Sequence, residues 1–448
     1  MSTLLIKQAQ IVNEGRITVS DILIRNQRIE KIQSSIEAPN AIEIAADGLI
    51  LLPGMIDDQV HFREPGLTHK ATIYSESRAA AAGGITSFMD MPNTIPNTLT
   101  RDLLEEKYAI ASKDSLVNYS FFMGINQENL DEALRVDPEW VCGITDDGLY
   151  FNSDKGILAN YPDYLEKVFA RCETLIALHC EDDEIIHRNF SRYQQEYGDN
   201  IPMEKHPLIR SEEACVAATK RVLEIARKHR NRLHIYHVST AAEAQLFENS
   251  LPPREKRITA EACVHHLWFS DEDYARLGAR LKWNPAVKSA ADRAGLQEAL
   301  REGRIDIIAT DHAPHTLTEK EGTYKQAMSG GPLVQQALPA AIELYRKGVF
   351  SLEDIASYTA HKVADIYRIK ERGYIREGYY ADLVLVDMNT SWMVTSKNML
   401  SKCGWSPFEG TRFNSTIECT IVNGQIVYEA GRFRGGSTGM RLQFDAVR

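Results

Sequence analysis

RLHIYHVS (232–239), RITAEACVHHL (257–267) and IDIIATDHAP (305–314) are short apolar runs that each end in ionisable side chains. A strand enclosed on both faces reads as a continuous apolar stretch, and such strands belong to parallel sheets covered by helices. Five earlier runs have the same texture: GMIDDQVHF (54–62), TSFMDMP (86–92), VNYSFFMG (117–124), WVCGITDD (140–147) and TLIALHCE (174–181). Between runs lie loops or helical patterns such as TIYSESRAAAAGG (72–84) and SEEACVAATKRVLEIARKH (211–229). The expectation is an α/β chain whose eight βα units close a (β/α)8 TIM-type barrel, with its site at the C-terminal ends of the strands.

Outward from this middle, both ends of the chain turn to alternating β patterns. LLIKQAQIVN (4–13), SDILIRNQRIEKI (20–32) and AIEIAADGLILL (41–52) are answered near the other end by GYIREGYYADLVLVDM (373–388) and STIECTIVNGQIVYEAGR (415–432). The expected organisation is a small β-sandwich domain formed by both termini, residues 1–52 and 366–448, enclosing the barrel at 53–365.

The 448 residues are 44% hydrophobic and 25% charged, enough for a large core. The 51 Lys plus Arg against 62 Asp plus Glu give a net charge of -11, which opposes nucleic-acid binding. No apolar run long enough for a membrane span and no basic-then-apolar leader is present, so no membrane partner is expected. The seven cysteines are odd in number and form no CxxC pair, which points to a reducing cytoplasm and to buried hydrophobes.

An ionisable side chain at the end of a buried strand must find a partner or do chemistry. The first run carries Asp57, Asp58, Gln59, His61 and Arg63, and the second leads into Asn93. The fourth ends in Asp146 and Asp147, the fifth carries His179, the sixth His237, and the last Asp311, His312 and His315. One such histidine is more often a hydrogen-bonded core residue than a ligand. Several converging with carboxylates form a set that Zn²⁺ accepts. Gln59, His61 and Arg63, spaced by two, share one strand face. The adjacent His265 and His266 should face opposite ways and are read as structural. His69, His187, His206, His229, His234 and His361 are read as solvated or capping.

These motifs resemble the cyclic amidohydrolases, and within them the dihydroorotases of the class I bacterial type. The resemblance runs through PGMIDDQVHFREPG (53–66), AAAGGITSFMDMPNT (80–94), TDDG (145–148), ALHCED (177–182), HVST (237–240), EACVHHL (261–267), LKWNP (281–285) and ATDHAPH (309–315). It implies metal ligation by His61, Asp147, His179, His237 and Asp311, with Asp147 bridging. It implies substrate binding by Arg63, Asn93, Asn284 and His315, and Asp311 as the general acid/base. The implied reaction is the reversible, metal-assisted hydrolysis of dihydroorotate to N-carbamoyl-aspartate in pyrimidine synthesis. An Arg fork suits the carboxylate of that substrate.

Departures from the family pattern matter equally. Gln59 stands where the first histidine of HxH is usual, so one tightly held Zn²⁺ is expected and a second is in doubt. Val264 stands where Pro is usual, and EGTYKQAMSGGPLVQQALP (321–339) lacks the usual Leu-Glu-Thr sequence. The enzymatic rival is allantoinase, disfavoured by MPNT and by Asp147 where that family offers a lysine. The rival from another class is a non-catalytic partner of an enzyme such as aspartate carbamoyltransferase, which only Gln59 supports. The resemblance leaves room for a homo-oligomer and for that association. The loop at 316–332, charged and glycine-bearing at its end, reads as a mobile lid.

Overall fold

A computed structural model describes residues 3–149 and 158–445. Eight parallel strands follow one another in chain order: β1 Met55–Val60, β2 Ile85–Asp90, β3 Asn118–Phe121 with its continuation Met123–Gly124, β4 Ile144–Thr145, β5 Ile176–Leu178, β6 Leu233–Ile235, β7 Ile258–Cys263 and β8 Ile307–Ala309. β1 to β3 pair as one ladder, and the continuation of β3 through β8 as another. The two ends of the array also meet, because Val60 forms a parallel bridge with His312 and the His61 N–H donates to the His312 carbonyl at 2.7 Å.

Helices lie between the strands and start where the sequence supplies caps. Thr72 closes a capping box with Ser75 ahead of Ile73–Ala82, and Ser211 accepts the Ala214 N–H ahead of Glu212–His229. Their apolar faces pack with the strands into one large core that includes Phe88, Phe121, Val222 and Leu338. Among the described residues, no helix is long and apolar enough to cross a membrane.

A nine-stranded sheet draws on both ends of the chain. Ile50–Pro53 pairs in parallel with Leu4–Asn13 on one side and antiparallel with Leu383–Asp387 on the other. A separate apolar cluster, including Ile6, Ile22, Leu51, Leu383 and Ile421, fills this sheet's own core. Polar contacts tie the sheet to the parallel strands: Asn118 on β3 donates to Asp382 at 3.1 Å, and Asn423 donates to Asn118 at 2.8 Å.

The seventh run departs from expectation. β7 stops at Cys263, and Val264–Trp268 turns into a short helix. In a helix, neighbours are not alternated across a face as in a strand. His265 and His266 therefore do not face opposite ways, and their ring centroids are 4.0 Å apart.

Candidate metal and active site

Asp147, at the end of β4, stands at the centre of the strand-end cluster. Its Oδ1 faces His179 Nδ1 at 3.6 Å and His237 Nε2 at 3.8 Å, and those two nitrogens are 3.0 Å apart. A tetrahedral ion with ligand bonds near 2.0–2.1 Å has edges of roughly 3.4 Å, so these separations bracket what Zn²⁺ needs. His237 Nδ1 is buried without a hydrogen-bond partner. His179 Nε2 lies 2.8 Å from Glu181 Oε2, and Glu181 is in turn held by Arg210. This carboxylate fixes the ring so that Nδ1 is the nitrogen offered to a cation. The donor set fits a divalent metal.

The other oxygen of Asp147 has different company. His61 Nε2 lies 3.3 Å from Asp147 Oδ2 and 3.1 Å from Asp311 Oδ1. His61 Nδ1 lies 2.7 Å from Asn93 Oδ1. With its Nδ1 proton given to that carbonyl oxygen, the ring keeps Nε2 for the cluster. Gln59 turns its amide nitrogen towards Asp147 Oδ2, at 3.2 Å, while its oxygen lies 3.5 Å from the Cys263 thiol. In this orientation Gln59 offers the cluster a donor, not a ligand.

Electrostatics follow from crowding in a dry site. Burial works to raise the Asp147 carboxyl, but His179, His237 and His61 more than reverse this and hold it well below its ordinary value. Burial works to lower both histidines; the carboxylates overcome it and bring His61 to about 9 and His179 to about 10. The backbone is strained here as well: Arg63, His237 and Asp311 have φ of 68°, 37° and 47°. Such conformations cost about 1–3 kcal/mol each and persist where the surrounding structure enforces them.

Beside the metal cluster, Arg63, Asn93, Asn284 and His315 line the same pocket as His61, Asp147 and Asp311. Arg63 Nε donates to the Pro314 carbonyl at 3.1 Å, and Nη2 lies 3.2 Å from His315 Nε2. Burial lowers Arg63 to about 10, and it lowers His315 well below its ordinary value, helped by Arg63, Lys70 and Lys320. The Asn284 side-chain oxygen Oδ1 is buried without a partner. Gly148, at φ 71°, is required twice over: a Cβ there would stand 2.3 Å from the Asn93 amide nitrogen.

Two residues at the pocket and behind its histidines escaped the sequence reading. Lys70 lines the pocket, with Nζ 3.1 Å from His315 Nδ1 and 3.0 Å from Glu319. Glu181 could have been found, because it stands two residues after His179, the same spacing that aligned Gln59, His61 and Arg63. Other strand-end residues serve the core instead. Asp57 accepts from Thr310 N–H and Oγ–H, stapling β1 to the end of β8, and His312 lies 2.9 Å from the buried Glu76. His234 and His206 are buried and hydrogen-bonded rather than solvated, His234 beside Thr259 and Glu261, His206 beside Tyr324.

The loop at 316–332 is clamped. Lys320 Nζ donates to the Met328 and Gly330 carbonyls at 2.6 and 2.7 Å, and Lys282 Nζ reaches the Tyr324 and Ala327 carbonyls, both at 2.6 Å. Two buried lysine amines thus gather the loop's backbone around themselves, and burial pushes Lys282 down to about 7 and Lys320 well below its ordinary value. Met328, Ser329 and Gly330 are brought to the pocket wall.

The amidohydrolase family profile matches residues 50–427. A dihydroorotase of Halobacterium salinarum is 34% identical over 94% of this chain and 95% of its own length. The chain belongs to the amidohydrolase family, among the dihydroorotases. A second dihydroorotase, from Lactobacillus acidophilus, is 31% identical over 95% of this chain and 99% of its own. Among solved structures, the L-hydantoinase (dihydropyrimidinase) of Arthrobacter aurescens superposes with a TM-score of 0.91 at 24% identity, covering 99% of this chain and 100% of that one. The dihydropyrimidinase of Brevibacillus agri gives 0.88 at 23% identity, with the same coverage. At these identities the structural neighbours establish the fold alone.

Proposed function

We propose that this metal-dependent cyclic amidohydrolase is a dihydroorotase of the class I bacterial type, acting in the cytoplasm on (S)-dihydroorotate and N-carbamoyl-L-aspartate. The observation that carries this reading is the buried Arg63 guanidinium, in one pocket with Asn93 and Asn284 and beside the Asp147 cluster. A substrate with a carboxylate next to its cyclic amide needs both halves of that pocket. The parallel array, with β8 bridged back to β1, supports a closed (β/α)8 barrel at 53–365. The shared sheet supports one β domain from 1–52 and 366–448.

Asp147, His179 and His237 would hold Zn²⁺, with His61 and Asp311 at the far side of the carboxylate. When bound, the ion supplies a polarised carbonyl and a water acidic enough to attack near neutral pH. Arg63 would fix the substrate carboxylate through a planar fork, and Asn93 and Asn284 the ring. Asp311, its Oδ1 held by His61, would take the proton of the attacking water and return it to the ring nitrogen. Lys70 and His315 would complete the wall facing the carboxylate. The clamped loop, which brings Met328, Ser329 and Gly330 to the pocket wall, would help to shield the site from water.

Turnover of dihydroorotate, allantoin and hydantoin by one preparation tests the reading, alongside elemental analysis of zinc. Dihydroorotate should be opened far faster than the other two. Preference for allantoin or hydantoin would overturn the assignment, and zinc-loaded protein without any turnover would favour a non-catalytic role.

A further inference from the structure

On the opposite face, at the N-terminal ends of β5, β6 and β7, Arg230, Arg232, Arg257 and Arg368 line a cleft of about 950 Å³. The chain as a whole carries a net charge of -11, so this concentration of guanidinium groups runs against its average. Other cations on the same wall are matched: Lys256 with Asp306 at 2.7 Å, Arg254 with Asp445 at 3.3 Å and Arg171 with Asp131 at 2.6 Å. Among the described residues, the four arginines have no carboxylate within ion-pair distance. Glu173 and Glu255 on the rim are exposed and pair with none of them.

Two of these arginines occupy positions where glycine would be the unstrained residue. Arg230 ends helix Glu212–His229 with φ 59°, and Arg368 ends helix Lys362–Tyr367 with φ 58°. A cation beside a helix C-terminus gains from the dipole, which gives each of these two a structural reason. Arg232 and Arg257, which stand immediately before β6 and β7, reach the ends of the same two helices. Arg257 donates to the Arg230 carbonyl at 2.8 Å and Arg232 to that of Ile366, so the groups hold one another in place. Arg368 Nη1 is buried with no acceptor at all. Guanidinium groups gathered without a carboxylate are matched best by phosphate oxygens.

A second cavity of about 450 Å³ adjoins the first and shares Arg230 and Arg257 with it. One side of its wall is apolar, built by Leu246, Phe247, Leu251 and Ile258, and the rest carries Arg227, Asn231, Glu248 and Glu255 beside the two shared arginines. One ligand class has a multiply charged end and a flat, weakly polar end in such proximity. We propose that this composite cleft binds a nucleoside polyphosphate, with the phosphates among the four arginines and the base against Leu246, Phe247 and Leu251. The site is separate from the catalytic pocket: Arg232 and His237 flank β6 at opposite ends, roughly 17 Å apart at strand rise.

Isothermal titration of the full chain with ATP, UTP, tripolyphosphate and adenosine tests the proposal. A nucleoside triphosphate should bind at submillimolar concentration, tripolyphosphate at least tenfold more weakly, and adenosine weaker still. The Arg257→Gln, Arg368→Gln pair should weaken triphosphate binding at least tenfold, and Leu251→Asp should erase the advantage of nucleotide over tripolyphosphate. Dihydroorotate turnover should be unchanged in both variants, which also reports that they fold. Failure of both triphosphates to bind at millimolar concentration would overturn the proposal, as would binding indifferent to the arginine pair. Equal affinity for tripolyphosphate and nucleotide in the unaltered chain would reject the base pocket. Tighter capture of an acidic peptide than of any nucleotide would assign the cleft to a protein partner instead.

Discussion

The two oxygens of Asp147 look onto regions that differ in one respect. Oδ1 meets two imidazole nitrogens 3.0 Å apart, a pair close enough to share a proton or to take a cation between themselves and the carboxylate. Oδ2 meets one imidazole and the Gln59 amide N–H at 3.2 Å. The second oxygen shares its surroundings with an amide group that can only donate, whereas the first faces two side chains that become metal ligands once they give up a proton. The metal-binding capacity of a carboxylate is therefore decided by its neighbours and can differ across a single side chain.

The most damaging test removes the richer side. His179→Ala or His237→Ala should release zinc on dialysis and reduce turnover by roughly 10²–10³-fold or more, the scale of losing preorganised charge stabilisation. Retention of full zinc in either variant would contradict the ligand assignment.

Asp311→Asn tests the proton path beside the poorer side. Loss of a general acid/base costs typically about 10²–10⁴-fold in rate, so kcat should fall by that factor while zinc at the Oδ1 side is kept. An unchanged kcat would exclude Asp311 from proton transfer.

Arg63→Lys preserves charge but loses the fork. With about 1.5–3 kcal/mol at stake in hydrogen bonds to a charged group, KM for dihydroorotate should rise roughly ten- to hundredfold, with zinc content unchanged. Zinc loss in place of the KM effect would make Arg63 a support of the metal cluster.

Gln59→His makes the two sides alike. Its expected readout is stoichiometric: from about one tightly held zinc per chain towards two after dialysis against a mild chelator. Two retained zinc ions in the unaltered chain would show that the Gln59 side is already competent.

The smallest effect belongs to the loop. Burial works to raise the Glu319 carboxyl, but the Thr316 N–H and Lys70 hold it down at about 2, below its ordinary 4.5. A depressed carboxylate pKa stabilises the fold above about 4.5 and loses that contribution as pH falls towards about 2. The Thr316 amide, which donates to Glu319 at 2.9 Å, should therefore be protected from hydrogen exchange at pH 5.5 and progressively less so through that window. Constant intrinsic-rate-corrected protection down to pH 3 would remove Glu319 as the clasp.

Much of the site was readable because ionisable residues end otherwise apolar strands, a pattern that burial makes costly unless partners exist. His61, Asp147, His179, His237 and Asp311 announce themselves in this way, and the structure brings all five to one cluster. The pattern does not say which polar side chain turns outward to the pocket and which staples the core. Asp57 and His312 have the same sequence character as Asp147 and His61, yet hold Thr310 and Glu76. Lys70, Lys282 and Lys320 left no signal, since a lysine in a loop ordinarily extends into water and only long-range folding buries it. Only the facing of His265 and His266 was misread, because strand alternation was extended three residues past the end of β7.

The pairing of Leu51 with Leu385 has a consequence for biosynthesis. The two strands are separated by the whole parallel array, so the N-terminal strands emerge from the ribosome hundreds of residues before their antiparallel neighbour exists. During that interval Leu383, Leu385 and Ile421 have yet to arrive, and the apolar face around Ile6, Ile22 and Leu51 lacks its cover. Contacts so distant along the chain form slowly, and an uncovered strand edge invites association with other nascent chains. Losses of soluble yield on truncation at the C-terminus should therefore arise from this waiting surface, far from any catalytic residue.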